Sequence, residues 1–259
     1  MPLPIPGVAE AEAAIELLKL AHKQGWLDRL LTALRKKHNI LVLGCSGAGK
    51  TAFLESLTAT IPTAIDRMNR TEFAQKHAIR IAKLPFVFVD TPGQKLHSSR
   101  RLSAVREAMK QPIAGVINIV SYGYHESRVG KDAAVSAGAV NERYLEGRRL
   151  EEIAALSEWT PILGDRSVAG WLMTVVTKAD LWWNRRDAVV QHYSEGPYAE
   201  ALEAARALRP TVVEYCSVFQ KFYGDAPMSG EFQDGDRARV KGHLLEQLLA
   251  AVGKVKDHA

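Results

Sequence analysis

Residues 40–51 read Ile-Leu-Val-Leu-Gly-Cys-Ser-Gly-Ala-Gly-Lys-Thr, and this stretch carries the strongest structural signal of the sequence. Its four apolar residues, 40–43, are typical of a short buried strand. The next eight match the pattern G-x-x-x-x-G-K-[ST] of a phosphate-binding loop. The apolar-periodic run that follows, residues 52–57, predicts the first turns of a helix. Because strand, glycine loop and helix in this order form the context in which the motif binds phosphate, the stretch predicts a nucleotide site.

The residue types of the loop indicate how it would hold a nucleotide. Glycine permits backbone conformations in which successive N–H groups surround a phosphate. Lys50 is predicted to reach the β- and γ-phosphates and is a candidate catalytic residue, and the Thr51 hydroxyl is a candidate Mg²⁺ ligand. The nucleotide-binding residues predicted here are Gly44, Cys45, Ser46, Gly47, Ala48, Gly49, Lys50, Thr51 and Ala52.

Composition and charge narrow the class of protein. The chain has 259 residues, of which 47% are hydrophobic and 24% charged, and this fits one α/β domain, with or without an appendage. The formal net charge of +5 permits contact with RNA, ribosomes or acidic lipid. The two cysteines, Cys45 and Cys216, are too few for a disulfide framework or a zinc site. No apolar run reaches the roughly 18 residues of a spanning helix, so we expect a cytoplasmic protein.

Buried strands and helical runs alternate along the rest of the chain. Strands are predicted at 40–43, 85–90, 113–120, 171–177 and 211–218, and helices at 52–57, 96–110, 141–158, 199–208 and 238–255. Residues 78–83 are predicted to form a hairpin-like pair with the strand at 85–90, and residues 121–138 a polar loop. This alternation predicts an α/β fold with a mostly parallel central sheet covered by helices on both faces.

The N-terminal part of the chain differs from the rest. Residues 8–37 show a helical stripe of leucines that ends in three basic residues, 35–37. We divide the chain into an N-terminal helical extension, residues 1–37, and a nucleotide-binding domain, residues 38–259. A basic amphipathic helix binds membrane surfaces or partner proteins, and the alternative is packing on the domain's own surface.

A second phosphate-side motif, Asp90-Thr-Pro-Gly93, ends the apolar run at 85–89. An aspartate at this place can hold Mg²⁺ through water, and the Gly93 N–H can meet the γ-phosphate. Since Asp-x-x-Gly is a common sequence, a plain structural turn is the alternative. The apolar strand ahead of the motif favours the functional interpretation.

A third motif, Thr177-Lys-Ala-Asp180, follows the predicted strand at 171–177. The Asp180 carboxylate can accept hydrogen bonds from both N1–H and the N2 amine of guanine, a pair that adenine does not offer. The aliphatic stem of Lys178 can lie along the base. Residues 216–218, at the end of the next strand, are predicted to close over guanine O6 with backbone N–H groups. Together these motifs predict a guanine site.

The residues 44–51, 90–93, 177–180 and 217–218, in this order, resemble the motif set of the TRAFAC GTPases, the group that includes Ras-like and Era-like proteins. The resemblance covers roughly residues 38–255. It implies a Ras-like fold, Mg²⁺-dependent binding of GTP and GDP, and slow hydrolysis that switches two loops. The base-binding residues that it implies are Thr177, Lys178, Asp180, Ser217 and Val218.

The resemblance also implies residues in two switch regions, 60–75 and 90–110, where a protein effector or regulator is expected to bind. Gln94 matches the glutamine that orients the attacking water in Ras-like proteins, and the alternative is a solvated loop residue. Thr71 is preferred over Thr60 and Thr63 as the switch threonine. The implied catalytic residues are Gln94 and Lys50, and the implied metal ligands are Thr51, Thr71 and Asp90.

The sequence departs from the family pattern at three places. Thr177 stands where the family usually has Asn, so one contact to the phosphate loop is expected to differ, and Val218 stands where Ala is usual. The segment 121–165 is longer than a minimal Ras-like domain needs and is interpreted as an elaborated loop and helix. Two other functions stay open: a GTP-loaded docking module with little turnover, whose state a partner or membrane reads, and an ATPase or small-molecule kinase.

Overall fold

The computed structural model describes residues 38–57, 75–81, 84–90, 112–127, 130–163, 170–205, 207–224, 226 and 230–253. The predicted N-terminal extension, 1–37, lies outside these residues. So do Thr71, Gly93, Gln94, the predicted helix at 96–110 and most of both switch regions.

Eight strands and seven α-helices lie in the described part of the chain. The strands are β1 His38–Gly44, β2 Gln75–Ile81, β3 Leu84–Asp90, β4 Gly115–Val120, β5 Val135–Ser136, β6 Ala139–Val140, β7 Leu172–Val176 and β8 Thr211–Glu214. The helices are α1 Lys50–Leu57, α2 Lys131–Ala134, α3 Glu142–Leu163, α4 Ala179–Trp182, α5 Arg186–Ser194, α6 Pro197–Ala204 and α7 Asp234–Gly253. A 3₁₀ turn, Trp183–Arg185, joins α4 to α5.

Six strands form one sheet in the order β2-β3-β1-β4-β7-β8. The β2–β3 pair is antiparallel, as the hairpin-like pattern predicts, and all other pairs are parallel. The predicted mostly parallel sheet is therefore confirmed. In sheets of this kind, ligands bind where the strand order reverses, outside the carboxyl ends of the strands. Here that point is the carboxyl end of β1, because β1 lies between β3 and β4.

Burial explains why the central strands form. Residues 40–43 of β1 and all six residues of β4 are buried, as expected for parallel strands with both faces covered. Two clusters of buried apolar side chains flank the sheet. One includes Leu145 of α3 and Tyr193 of α5, and the other includes Phe53 of α1 and Leu244 of α7.

Several predicted bounds are corrected. The predicted loop at 121–138 contains α2 and β5, and a two-residue hairpin, β5–β6, leads into α3. The last strand ends at Glu214 and not at Val218, because the chain bends at 217–218, beyond the last residue of β7 with which β8 pairs. The closing helix begins at Asp234, four residues before the predicted start, with Asp234 and Asp236 in its first turn, where acidic side chains favour a helix.

Within the described residues, no helix combines the length and the apolar character needed to cross a membrane.

Candidate functional site

The carboxyl ends of the parallel strands bring the predicted motifs to one edge of the sheet. The phosphate loop follows β1, Asp90 ends β3, and the base-reading motif, Thr177–Asp180, follows β7. The segment 215–220 follows β8 and meets the base-reading motif through a 3.1 Å hydrogen bond from Ala179 N to Tyr215 O. Residues from distant parts of the sequence therefore form one candidate nucleotide site.

The phosphate loop has the backbone that its glycines predict. Gly44 and Gly47 have φ of 137° and 79°, values that side-chain-bearing residues rarely adopt. A Cβ on Gly47 would lie 2.4 Å from the carbonyl oxygen of Glu126, so the residue has no space for a side chain. The helix α1 begins at Lys50, whose Nζ donates to the carbonyls of Gly44 (2.9 Å) and Cys45 (3.0 Å).

The predicted Mg²⁺ ligands are placed only in part. Thr51 lies in the first turn of α1, and Asp90 is the last residue of β3. Asp90 is the register partner of Val42, two residues before the phosphate loop begins. A hydroxyl and a carboxylate on these two elements are oxygen donors, which suit Mg²⁺. The third predicted ligand, Thr71, lies outside the described residues.

Thr177 connects the base-reading motif with the phosphate loop. Its Oγ1 lies 2.6 Å from the carbonyl oxygen of Ala48 and 3.0 Å from that of Val120. The residue is buried, and Trp182 Nε1 donates to its carbonyl oxygen at 2.8 Å. The threonine in place of the usual asparagine therefore still makes a direct contact with the loop.

Asp180, the residue predicted to read guanine, has no exposed surface. Its Oδ2 accepts a 2.9 Å hydrogen bond from Gln220 N, and its Oδ1 accepts one from Cys216 Sγ at 3.3 Å. Burial raises the pKa of Asp180 and outweighs the opposing hydrogen bonds from Gln220 and Cys216. Since each carboxylate oxygen has two lone-pair directions, each can accept one further donor.

Cys216 connects the last motif, residues 216–218, with Asp180. Its Sγ lies 3.3 Å from Asp180 Oδ1, and the implied base-binding residues Ser217 and Val218 follow it directly in the chain. Ser217 is buried, and its carbonyl oxygen accepts a 2.7 Å hydrogen bond from Arg237 of α7. The carbonyl oxygen of Val218 lies 3.5 Å from Cys216 Sγ. The closing of Ser217 and Val218 over guanine O6 stays a prediction.

Lys178 makes a hydrogen bond that the sequence does not predict. The residue is buried and has a left-handed backbone, with φ of 60°. Its Nζ donates to the carbonyl oxygen of Tyr124 at 2.6 Å. Tyr124 belongs to the segment that follows β4, and no local sequence signal pairs it with Lys178. The contact directs the ammonium group toward this segment.

The two tryptophans after the base-reading motif pack inside the protein. Trp182 has no exposed surface, which excludes it as an exposed docking residue. Trp183 meets Phe232 edge-to-face, with ring centroids 4.9 Å apart, and the guanidinium of Arg239 on α7 lies 5.7 Å from its ring centroid. Trp183 therefore lies beside the closing helix, α7.

Known proteins share parts of this architecture. Residues 39–148 match the family described as 50S ribosome-binding GTPase. The match includes the phosphate loop and Asp90 but ends before Thr177. A search of curated proteins gave no significant match.

Solved structures of Toc33 from Arabidopsis thaliana resemble the whole chain in fold. The structure in complex with GDP and Mg²⁺ is 15% identical, with a TM-score of 0.53 over 95% of this chain and 92% of that chain. The structure in complex with Mg²⁺ and GMPPNP is 14% identical, with a TM-score of 0.50 over 97% of this chain and 95% of that chain. A dimerization-deficient mutant is 14% identical, with a TM-score of 0.51 over 96% and 94%. The predicted cofactors, a guanine nucleotide with Mg²⁺, match the ligands of Toc33 in the first two of these structures.

The phosphate loop, the sheet order and the two kinds of similarity agree with one another. The chain therefore has the α/β fold of a P-loop GTPase.

Proposed function

We propose that the protein binds GTP and GDP with Mg²⁺, hydrolyses GTP and acts as a nucleotide-dependent switch. The observation that carries this proposal is the hydrogen bond between Thr177 and Ala48, which joins a phosphate loop to a motif able to read guanine. A phosphate loop alone serves ATP and GTP equally, so the proposal of guanine is supported by Asp180, which belongs to the same motif as Thr177.

The residues of the site suit the parts of the nucleotide. The N–H groups of residues 44–52 and the ammonium of Lys50 would hold the phosphates, and Asp180 would accept N1–H and the N2 amine of guanine. Because Asp180 is fully covered, the base reaches it only if part of the segment 217–220 moves. The N–H groups of this segment would then close over guanine O6.

The metal ligands and the catalytic glutamine complete the proposal. Thr51 and Asp90, together with Thr71, would hold Mg²⁺, which supplies charge neutralisation on the β- and γ-phosphate oxygens when bound. Gln94 would orient the attacking water. Loss of the γ-phosphate would release Thr71 and Gly93, and both switch regions, 60–75 and 90–110, would relax. An effector or regulator would read that change, and we place the protein in the cytoplasm, free or peripherally bound at a membrane.

Calorimetric titration of the full chain with GDP, a GTP analogue and ATP, each with Mg²⁺, tests the nucleotide class. We expect binding of both guanine nucleotides and none of ATP. Asp180→Asn should weaken GDP binding and shift preference toward xanthine, which carries a carbonyl at C2 in place of the amine. Asp187→Asn, at an exposed position on α5, is the matched control. Binding of ATP by the wild type, or an unchanged base preference in Asp180→Asn, would overturn the guanine assignment.

Phosphate release measured with wild type and Gln94→Ala tests hydrolysis. We expect turnover that falls in the variant while GTP affinity stays the same. Absence of turnover in a wild type that binds GTP would show instead a GTP-loaded docking module. Deletion of residues 1–37 should then abolish partner or membrane capture without changing nucleotide affinity.

A further inference from the structure

A carboxylate lies buried beneath the candidate nucleotide site. Glu152 on α3 is 1% exposed and faces residues 121–127, which follow β4 and are called the β4 loop below. An ionised side chain in such a place is costly unless hydrogen bonds compensate the loss of water. Glu152 belongs to none of the nucleotide-binding motifs.

Both oxygens of Glu152 receive donors from the protein. Oε1 accepts from Ser121 N at 2.9 Å, Gly123 N at 3.3 Å and His125 Nε2 at 2.6 Å. Oε2 accepts from the hydroxyl of Tyr193 on α5 at 2.5 Å. One side chain therefore collects four donors, three of them from the β4 loop.

Tyr193 extends this arrangement to the backbone of the same loop. Its hydroxyl oxygen accepts a 2.9 Å hydrogen bond from Tyr122 N. Glu152 and Tyr193 together thus satisfy three consecutive backbone N–H groups, 121–123. Tyr122 and Gly123 both have positive φ, 51° and 84°. A tyrosine in this conformation is unfavourable by itself and persists when its surroundings impose it, and successive N–H groups in such a turn form a concavity that binds anions.

The opposite side of the β4 loop contacts the nucleotide motifs. The carbonyl oxygen of Tyr124 accepts the hydrogen bond from Lys178 Nζ, and the Glu126 carbonyl lies against Gly47 of the phosphate loop. The neighbouring residue on α3, Glu151, lies beside the phosphate loop too, because Cys45 Sγ is 3.7 Å from its carbonyl oxygen. The loop is therefore held by Glu152 on one side and touches both the phosphate-binding and the base-reading residues on the other.

We infer that Glu152 is a positioning residue for guanine nucleotide binding, acting through the β4 loop. By fixing the backbone of residues 121–123, it places the Tyr124 carbonyl that orients Lys178 and the Glu126 carbonyl that confines Gly47. This inference rests on the proposed function, since it assigns to Glu152 an effect on nucleotide affinity and on the lifetime of the bound nucleotide, and not only on folding.

The test compares dissociation of a fluorescent GDP derivative from the full-length wild type and two variants, at a temperature at which all remain folded. Glu152→Gln keeps the shape and one acceptor oxygen but removes the charge, and Tyr193→Phe removes only the hydroxyl that joins Glu152 to Tyr122 N. We expect dissociation about tenfold faster in Glu152→Gln, with a smaller increase in Tyr193→Phe. Should Glu152→Gln fail to fold, Tyr193→Phe supplies the same test.

The control is Leu248→Ala, which removes a buried side chain of α7 in the apolar cluster that does not contain Tyr193 and so lowers stability at another place. We expect the control to retain the wild-type dissociation rate even where its unfolding midpoint falls as far as that of Glu152→Gln. A wild-type rate in Tyr193→Phe and in folded Glu152→Gln would overturn the inference alone. The inference would also be overturned if GDP dissociation from the control became faster to the same extent as its unfolding midpoint fell. A wild type that binds no guanine nucleotide would overturn the proposed function, and this inference with it.

Discussion

The hydroxyl oxygen of Thr177 lies 2.6 Å from the carbonyl oxygen of Ala48, across 129 residues of sequence. Since a hydroxyl has one hydrogen, the shorter of its two contacts identifies Ala48 as the acceptor. The Val120 carbonyl, 3.0 Å away, already accepts the backbone N–H of Thr177 at 2.8 Å. The hydroxyl thus fixes the position of the phosphate loop relative to the residues that would read the base.

Removal of this hydroxyl by Thr177→Val should weaken GDP binding about tenfold. The variant keeps the side-chain shape and leaves the buried Ala48 carbonyl without its partner, a loss of roughly 1–3 kcal/mol. Titration calorimetry measures the affinity, and Thr177→Ser, which restores the hydroxyl, is the control. Equal affinities for the valine and serine variants would show that the contact does not organise the site.

A side chain at Gly47 should abolish nucleotide binding. The Cβ of Gly47→Ala would lie 2.4 Å from a backbone oxygen, so the phosphate loop or the segment after β4 must move. Gly138→Ala is a matched control because Gly138 has a similar φ, 76° against 79°, and a Cβ at that position would have no neighbouring atom within 4 Å.

The control should lose only the roughly 1 kcal/mol that a left-handed alanine costs. Thermal unfolding and GDP titration of both variants separate the two effects. Retention of GDP binding in Gly47→Ala would contradict the placement of the phosphate loop.

Loss of the Arg237 guanidinium should speed GDP release severalfold. Arg237 Nη2 donates to the Ser217 carbonyl at 2.7 Å and so holds the segment that covers Asp180. Arg239→Ala on the same helix is the control, because the Arg239 side chain is 62% exposed and pairs with Asp236 three residues earlier. Stopped-flow release of a fluorescent GDP derivative measures both rates, and identical rates in the two variants would argue against a role for Arg237.

The stability conferred by Glu152 should depend on pH in the acid range. Burial alone would raise the pKa of Glu152, but the adjacent His125 and the hydrogen bonds from His125, Tyr193 and Ser121 N lower it below its usual value. A carboxyl whose pKa falls on folding stabilises the native state above its unfolded pKa, and this stabilisation is lost as the pH falls through the folded pKa.

The free energy of unfolding of the wild type should therefore exceed that of Glu152→Gln by roughly 3–5 kcal/mol near neutral pH. The difference should shrink below about pH 4. Urea unfolding at both pH values measures it. A difference that stays constant with pH would show that folding does not change the pKa of Glu152.

Much of the sheet was predictable because its signals are local. The apolar runs at 40–43 and 85–90, and the weaker pattern at 78–83, predicted β1, β3 and the antiparallel β2. The short helix α2 was missed because its four residues show no helical period, and the start of α7 was missed because Asp234 and Asp236 are polar.

Some residues of the candidate site were likewise predictable from the sequence and others were not. The phosphate loop, Thr177, Lys178 and Asp180 came from the sequence, because each motif is a continuous segment whose spacing expresses its chemistry. The hydrogen bond from Cys216 to Asp180 was not predicted, since it depends on how the chain after β8 lies against the chain after β7 and not on an apolar pattern. Glu152 stands seven residues after Leu145 and four before Leu156, so helical spacing places it on the same buried face of α3. This spacing could have predicted from the sequence that Glu152 is buried.

The class of fold and the phosphate loop were readable in the sequence, which also predicts a preference for guanine, because these depend on residue types within short segments. The tertiary structure alone decided which groups hold those segments together: Ala48 with Thr177, Tyr124 with Lys178, and Glu152 with residues 121–125. The physical reason is that these bonds join residues distant in sequence, and strand register and helix rotation select each partner.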